Sequence, residues 1–303
     1  MTMRIIEKLA VPIFLVAGGM AYLADEFNMP FLFWGLAKLA FGLRRPKVTI
    51  LGSEFAGTVE AVGQAVTSFK PGDAVFGYLG QAMGAYAEYV CLPEDGCVML
   101  KPDHLSFAEA AVIPYGAIIA MPLLGRANIQ PGQKVLVNGA SGAIGAAAVQ
   151  IAKQLGAEVT GVGSGPRLPF IQALGADKVM DYTQTDFTQT GERYDLIFDV
   201  LGRSSFAQTQ NILNPGGQHL YVSFKGKQLW QMMQSRRGSR RAVCALAPGS
   251  RADFLAAAPL IAAGKLRGIV AKQYPLAEAA AAHRHIESKQ HQGQIALIVE
   301  THP

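Results

Sequence analysis

The sharpest chemical signal in the chain is the eight-residue stretch Asn138-Gly-Ala-Ser-Gly-Ala-Ile-Gly145. Its glycines at 139, 142 and 145 fit neither a strict G-x-G-x-x-G nor a phosphate P-loop, which needs a lysine. Their spacing still does the same physical work. Small residues allow a tight turn, bring backbone amides against a pyrophosphate at a helix N-terminus, and let the helix pack close to the preceding strand. A continuous apolar run, Lys134–Asn138, precedes the loop, and a helical pattern from Ile144 to Leu155 follows it. That strand-turn-helix context turns a common glycine cluster into a dinucleotide-binding expectation, with Gly139, Ser141, Gly142, Ala143, Ile144 and Gly145 as the cradle.

The end of the next strand bears on the coenzyme. A carboxylate there would hold the ribose 2′-hydroxyl of NAD. This strand ends Gly161-Val162-Gly163-Ser164 with Arg167 just beyond, so Gly163 stands where the carboxylate would be. A hydroxyl and a guanidinium suit a 2′-phosphate. The expected cofactor is NADP, with NAD as the alternative, and Ser164, Arg167 and Tyr182 are the candidates for its adenosine end.

Around this loop the pattern is that of an α/β domain. Apolar strands at Lys134–Asn138, Glu158–Val162, Lys178–Asp181, Tyr194–Val200 and Gln218–Ser223, with Arg241–Leu246 as a sixth, alternate with helices at Ile144–Leu155 and Leu168–Leu174. That order implies a doubly wound parallel sheet covered on both faces. Upstream, Ile50–Val62, Ala74–Tyr78 and Ala85–Leu92 read as short strands. With the turn Lys70-Pro71-Gly72-Asp73 they indicate a small antiparallel β domain. Ser106 caps a helix to Ile113, with Glu109 as the capping-box partner, and residues 27–45 read as a short amphipathic helix. Residues 274–299 read as an Ala-rich helix followed by a last strand.

The 303 residues are half hydrophobic and 16% charged, enough for two cored domains and unlike a disordered chain. A net charge of +5 is spread along the chain apart from Arg236, Arg237, Arg240 and Arg241, so nucleic acid is not the expected partner. Three cysteines (Cys91, Cys97, Cys244) without C-x-x-C spacing point to reduced thiols rather than a disulfide framework. His283 and His285 are two apart, which turns them to different helix faces. At the start, Arg4 and Lys8 precede an apolar run, Leu9–Leu23, broken by Pro12, Gly18 and Gly19. The run is short for a membrane span, which needs about 20 residues. Export or anchoring through residues 1–24 is therefore not favoured, and a cytoplasmic location is expected.

With those residues in hand, the chain resembles the medium-chain dehydrogenase/reductase superfamily, in its zinc-independent quinone-oxidoreductase-like branch. The resemblance rests on LGSEFAGTVEAVG (51–63), GAYAEYVCLPEDG (84–96), IQPGQKVLVNGASGAIG (129–145), YDLIFDVLG (194–202) and YPLAEAAAAHRHIES (274–288). It implies a GroES-like β domain, a Rossmann domain and a return of the chain to the first. The expected division is an atypical segment at 1–26, the GroES-like substrate domain at 27–117 and 267–303, and the dinucleotide-binding domain at 118–266. It also implies hydride transfer from a reduced nicotinamide to a quinone or an activated (enone or enal) double bond, with no acid/base residue singled out. Leu201, Gly202, Val222 and Ser223, just past strand ends, would border the nicotinamide. Phe31, Trp34, Tyr78 and Tyr115 could line a substrate pocket, although ordinary core is an equal reading of that set.

Three departures accompany the likeness. Zinc-dependent relatives carry Gly-His-Glu where this chain has Gly52-Ser53-Glu54, and the lobe of four cysteines is missing, so no metal is expected. Residues 1–26 bear no likeness to the family's opening strands, so the N-terminus is either altered or incomplete. Ile119, counted with the substrate pocket, stands where relatives place Thr or Asn. Two further readings stay open: an alcohol dehydrogenase-like enzyme of the same fold, and a cofactor-binding protein without turnover, associated with RNA or membrane. The expected partners are a small-molecule substrate and a second copy of the chain in a homodimer.

Overall fold

The computed structural model describes residues 2–6, 10–12, 49–288 and 292–299. The chain divides into two compact units, Met1–Pro114 together with Gly268–Pro303, and Tyr115–Arg267.

The first unit opens with strands β1 (Thr2–Ile6), β2 (Ala10–Pro12), β3 (Glu54–Val62), β4 (Ala74–Tyr78), β5 (Tyr89–Pro93) and β6 (Cys97–Leu100), then helix α1 (Phe107–Ala111). Five of the strands form an antiparallel sheet in the order β5-β1-β3-β4-β6. The opening residues, read from the sequence as an apolar segment unlike the family's first strands, therefore supply strands of their own, with Met3 opposite both Val62 and Leu92. The expected helix at 27–45 lies outside the described residues, as do Phe31 and Trp34. The Lys70–Asp73 turn forms as its residues dictate: Lys70 N donates to Asp73 Oδ2 (2.9 Å), and Gly72 takes φ +91°. The strand expected from Ala85 starts only at Tyr89. Ala85 N and Tyr86 N are instead spent on Gly52 O and Leu51 O (3.0 and 2.8 Å). Ser106 and Glu109 close a reciprocal capping box at the start of α1.

The second unit starts on α2 (Pro114–Ala127) and continues through β7 (Lys134–Asn138), α3 (Ala143–Gln154), β8 (Glu158–Gly163), α4 (Leu168–Ala173), β9 (Lys178–Asp181), β10 (Tyr194–Asp199), α5 (Phe206–Thr209), β11 (Leu213–Tyr221), α6 (Gly226–Ser235), β12 (Arg241–Cys244) and α7 (Arg251–Ala262). Its six strands are all parallel, in the order β12-β11-β10-β7-β8-β9. The strand order reverses direction between β7 and β10, the place where open α/β sheets take their ligands. Val135, Leu136 and Val137 are wholly buried, as expected of a strand covered on both faces.

The chain then returns to the first unit with β13 (Val270–Pro275), α8 (Ala279–Glu287) and β14 (Gln294–Ile298), and β13 and β14 form a three-stranded sheet with β2. Ala282, Ile295, Leu297 and Val299 pack into one core with Phe55, Val75 and Val98. Among the described residues no helix is long and apolar enough to cross a membrane.

Candidate functional site

The carboxyl ends of the parallel strands gather most of the residues singled out from the sequence. Gly139 follows β7 in the left-handed region (φ +88°), where a Cβ would press on Leu201 Cγ at 3.1 Å. The loop then folds on itself, Gly142 N donating to Gly139 O (3.2 Å), and α3 begins with Ala146 N bonded to Gly142 O (2.7 Å). A Cβ at Gly145 would overlap Gly139 O, so this glycine seats the helix against the strand. Gly142 is different. It is exposed, and a Cβ there would meet nothing closer than Gly139 O at 3.7 Å. It also gives the 12-residue α3 no side-chain cap, which leaves the first-turn amides of the helix without an intrahelical or capping partner. An anionic group of pyrophosphate size fits this cradle.

The residues expected at the adenosine end lie beside it. Arg167 Nη1 donates to Ser141 Oγ (3.2 Å), tying the loop after β8 to the glycine loop. Ser164 is partly exposed, and Tyr182, which is 57% exposed, is fixed by its amide to Gly163 O (3.1 Å). Asp181 borders the same loop, but its carboxylate accepts from Thr183 N and Oγ1 (2.9 and 2.7 Å). Those bonds hold its pKa below the ordinary aspartate value. One sequence inference needs correction. Gly163 is not an open, ligand-facing position: it is buried, and a Cβ there would collide with Ile171 Cδ1. Packing against α4 explains that glycine, and Ser164 is the residue that faces outward.

The remaining candidates meet at the ends of β10 and β11. Gly202 takes φ +61°, and a Cβ on it would run into Ser223 O. Val222 N donates to Asp199 O (3.0 Å). Leu201 is 45% exposed, a large aliphatic side chain held at the rim rather than in the core.

What holds this turn was not legible in the motif. Asp199, wholly buried at the end of β10, accepts from Leu201 N (3.1 Å), Gly202 N (3.0 Å), Ser204 N (3.3 Å), the Ser204 hydroxyl and Asn138 Nδ2 (2.9 Å). Burial works to raise its pKa. The hydrogen bonds from His219 and Ser204 outweigh it, and the carboxyl lies below its ordinary range. His219 is wholly buried beside it, Nε2 at 3.5 Å from Asp199 Oδ2 and Nδ1 at 2.6 Å from Thr209 Oγ1. Burial depresses its pKa against the pull of Asp199, so the ring is neutral at neutral pH. A ring protonated on Nε2 satisfies both ends, offering a donor to the carboxylate and accepting at Nδ1 from Thr209. Tyr221 stacks on His219 (3.9 Å between centroids) and donates to Ser204 O (3.2 Å). The signal in the sequence was two polar residues, Asp199 and His219, inside otherwise apolar strands.

The pocket candidates fall in both units. Tyr115 and Ile119 are one turn apart on α2, both partly exposed, while Gly116, Ala117, Ile118 and Ala120 between and beside them are buried. A Cβ on Gly116 would lie 2.6 Å from Ala143 O, so α2 packs directly on the start of α3. Tyr78 ends β4 in the first unit. Ser53 and Glu54 are buried there as well. Among the described residues no group of three or more His, Cys, Asp or Glu could hold a metal ion.

A six-stranded parallel sheet with an uncapped glycine loop at its switch point defines a dinucleotide-binding protein, and the likenesses sharpen that class. Residues 34–103 match the family model described as "Alcohol dehydrogenase GroES-like domain", and residues 174–297 match "Zinc-binding dehydrogenase". The quinone oxidoreductase of Sus scrofa is 33% identical over 263 residues, 82% of this chain and 79% of that protein. The chloroplastic NADPH-dependent alkenal/one oxidoreductase of Arabidopsis thaliana is 31% identical over 182 residues, 57% of this chain but under half (46%) of that protein. The solved quinone oxidoreductase from Coxiella burnetii superposes with a TM-score of 0.80 at 26% identity, over 99% of this chain and 90% of that one. The chain belongs to the medium-chain dehydrogenase/reductase superfamily, in its quinone oxidoreductase-like branch, and is an NAD(P)H-dependent oxidoreductase.

Proposed function

We propose that the chain is a zinc-independent reductase that uses NADPH to reduce a quinone or the activated double bond of an enone or enal. The observation that carries the coenzyme half is the loop after β8. Ser164 is the outward residue, the Arg167 guanidinium lies across the loop against Ser141, and the bordering carboxylate of Asp181 is engaged by Thr183. The names of the relatives from Sus scrofa and Arabidopsis thaliana support the substrate half.

Gly139, Ser141, Gly142, Ala143, Ile144 and Gly145 would hold the pyrophosphate on the α3 amides. Ser164, Arg167 and Tyr182 would hold the adenosine end, and Leu201, Gly202, Val222 and Ser223 would border the nicotinamide. When bound, the reduced nicotinamide supplies hydride. The chain's own work is positioning and exclusion of water: the Asp199 carboxylate fixes the Leu201–Gly202 amides, and the Leu201 side chain presents an apolar rim. Tyr115 and Ile119 offer substrate an apolar face on α2, and the absence of a polar group at Ile119 fits a substrate bound by shape. A homodimer is proposed on the open edge of β12, which among the described residues pairs with β11 alone. The three thiols, none in a disulfide, suit a reducing compartment such as the cytoplasm.

Titration with NADPH and NADH, followed by turnover on quinones, enones and alcohols, tests the reading. A charge-assisted contact to a 2′-phosphate contributes roughly 1.5–3 kcal/mol, on the order of 10–150-fold in affinity. Arg167→Ala should weaken NADPH by that factor and leave NADH nearly unchanged, while Ser164→Asp should turn the preference toward NADH. Equal affinity of the unaltered protein for both coenzymes, untouched by either substitution, would overturn the coenzyme assignment. Turnover of alcohols alone would overturn the substrate class.

A further inference from the structure

The first turn of α6 carries a side chain with two tasks. Gln228 is buried, while Lys225, Gly226, Lys227 and Leu229 around it are exposed. Its Oε1 accepts from Lys225 N (2.9 Å), reaching back to the residue before the helix as a glutamine three residues on can do. That bond is local and accounts for half of the amide. The other half leaves the helix, Nε2 donating to Gly202 O (2.9 Å), 26 residues away in the chain. These partners fix which way the amide points, because a backbone N–H only donates and a carbonyl only accepts.

Gly202 and Lys225 belong to two different loops at the carboxyl edge of the parallel sheet. One follows β10 and holds Leu201 and Gly202; the other follows β11 and holds Val222 and Ser223. Val222 N reaches Asp199 O (3.0 Å) and continues the ladder between the two strands. Past that rung the strand register no longer dictates where the loops go. They nevertheless run so close that a Cβ on Gly202 would overlap Ser223 O. Side chains grip Gly202 at both of its peptide groups: Asp199 Oδ1 accepts its N–H (3.0 Å), and Gln228 donates to its carbonyl.

We propose that Gln228 is a positioning residue for hydride transfer. By holding Gly202 O and Lys225 N on one rigid amide, it sets the separation of the two loops that border the nicotinamide. This rests on the coenzyme reading above and adds to it a residue buried beneath the rim rather than exposed on it. Hydride donor and acceptor must meet at about 3–3.5 Å in aligned geometry, and a misplacement on the order of 1 Å costs on the order of 100-fold in rate. The residues proposed for the pyrophosphate and the adenosine end stand on the loops after β7, β8 and β9. Coenzyme affinity and hydride-transfer rate should therefore separate when Gln228 is changed.

Single-turnover stopped-flow of the full-length protein tests the proposal, with the best acceptor or donor from the quinone, enone and alcohol panel above. Gln228→Met fills the same space with neither donor nor acceptor. Gln228→Glu, ionised at pH 8, keeps the acceptor for Lys225 N and sets a carboxylate against Gly202 O, so it cuts the link to Gly202 while preserving the helix start. Both variants should bind one coenzyme per chain with a Kd within about twofold of the unaltered protein. Both should transfer hydride roughly 10- to 100-fold more slowly at saturating coenzyme, with little change in KM for the substrate. Counting bound coenzyme per chain distinguishes a slower site from a smaller folded fraction. Ser235→Ala, on the same helix, removes the acceptor of Ala242 N (2.9 Å); it should lower the melting temperature and leave the rate unchanged. An unaltered hydride-transfer rate in Gln228→Glu overturns the proposal, as does a rate that falls only in proportion to lost binding sites. A protein that binds neither NADPH nor NADH overturns the coenzyme reading and this inference together. Normal binding and turnover in the Gln228 variants overturns this inference alone.

Discussion

Within one loop, three glycines do three different jobs. Gly139 bends the chain, Gly145 lets helix meet strand, and Gly142 leaves space empty. The contrast between the last two gives a direct test. Gly142→Val adds side chain where a Cβ would meet only Gly139 O, at an ordinary 3.7 Å, so the fold should survive with an unchanged melting temperature while NADPH binding is lost. Gly145→Val drives a side chain into the Gly139 backbone and should yield little folded protein. Equal coenzyme affinity in Gly142→Val, measured by fluorescence titration, would remove the phosphate cradle from this loop.

The buried pair of Asp199 and His219 carries the pH dependence. The folded-state pKa of His219 lies below its ordinary 6.5, with burial the leading cause. Above pH 6.5 neither the folded nor the unfolded state holds a proton there. Below it the unfolded chain takes up a proton that the folded chain refuses, so stability falls as pH drops, by as much as about 1.4 kcal/mol per pH unit until the folded value is passed. Asp199 contributes in the same direction but in a lower window, beginning below its ordinary 3.8. His219→Gln should flatten the upper slope in urea titrations between pH 7 and pH 5. The slope that remains belongs to His283, which is also depressed by burial. An identical pH profile in His219→Gln would show that the ring is not neutral in the fold.

Among the elements, legibility followed the physics of each segment. A strand buried on both faces announces itself as an apolar run, as β7 does; β4 and the partly exposed edge strand β9 also stand where the sequence put them. The Ser106–Glu109 box was legible because it is local chemistry, three residues apart. β6, β13, α2, α6 and α7 were not identified. β13 is mostly exposed and ends on a proline, so it lacks alternation. α2 and α7 carry Pro122 and Pro259 inside the helix, a residue that argues against one. α6 buries Gln228 and Ser235 and exposes Leu229, Trp230 and Met233, which inverts the pattern on which such readings depend. The site divided in the same way. The glycine cradle and the rim residues past the strand ends could be placed, because a strand-turn-helix fixes them. The Asp199–His219–Thr209 cluster could not, because three residues from different segments meet only once the parallel register is set, with Asp199 opposite Tyr221 and Ile197 opposite His219.

At the scale of the whole molecule, each unit has its own core. Phe55, Val75 and Leu297 belong to the first, Leu136, Ile197 and Tyr221 to the second. The residues proposed to hold coenzyme sit wholly on the second, and the Gly52-Ser53-Glu54 triplet wholly on the first. Ligand and chelator should therefore act differently on thermal unfolding. A ligand that binds only the folded state at a hundredfold excess over its Kd adds about 2.7 kcal/mol. For a unit of this size that amounts to a rise of roughly 5–10 °C in the transition that carries the parallel sheet. NADPH should produce that rise in scanning calorimetry, and Gly142→Val should abolish it. A chelator should move no transition and cost no turnover, because a catalytic zinc needs three protein ligands and Ser53 stands where the family's zinc-dependent members have a histidine. Stoichiometric zinc in the purified protein, lost together with activity on chelation, would sink the zinc-independent reading. It would leave the coenzyme site untouched, since the two rest on different units and different residues.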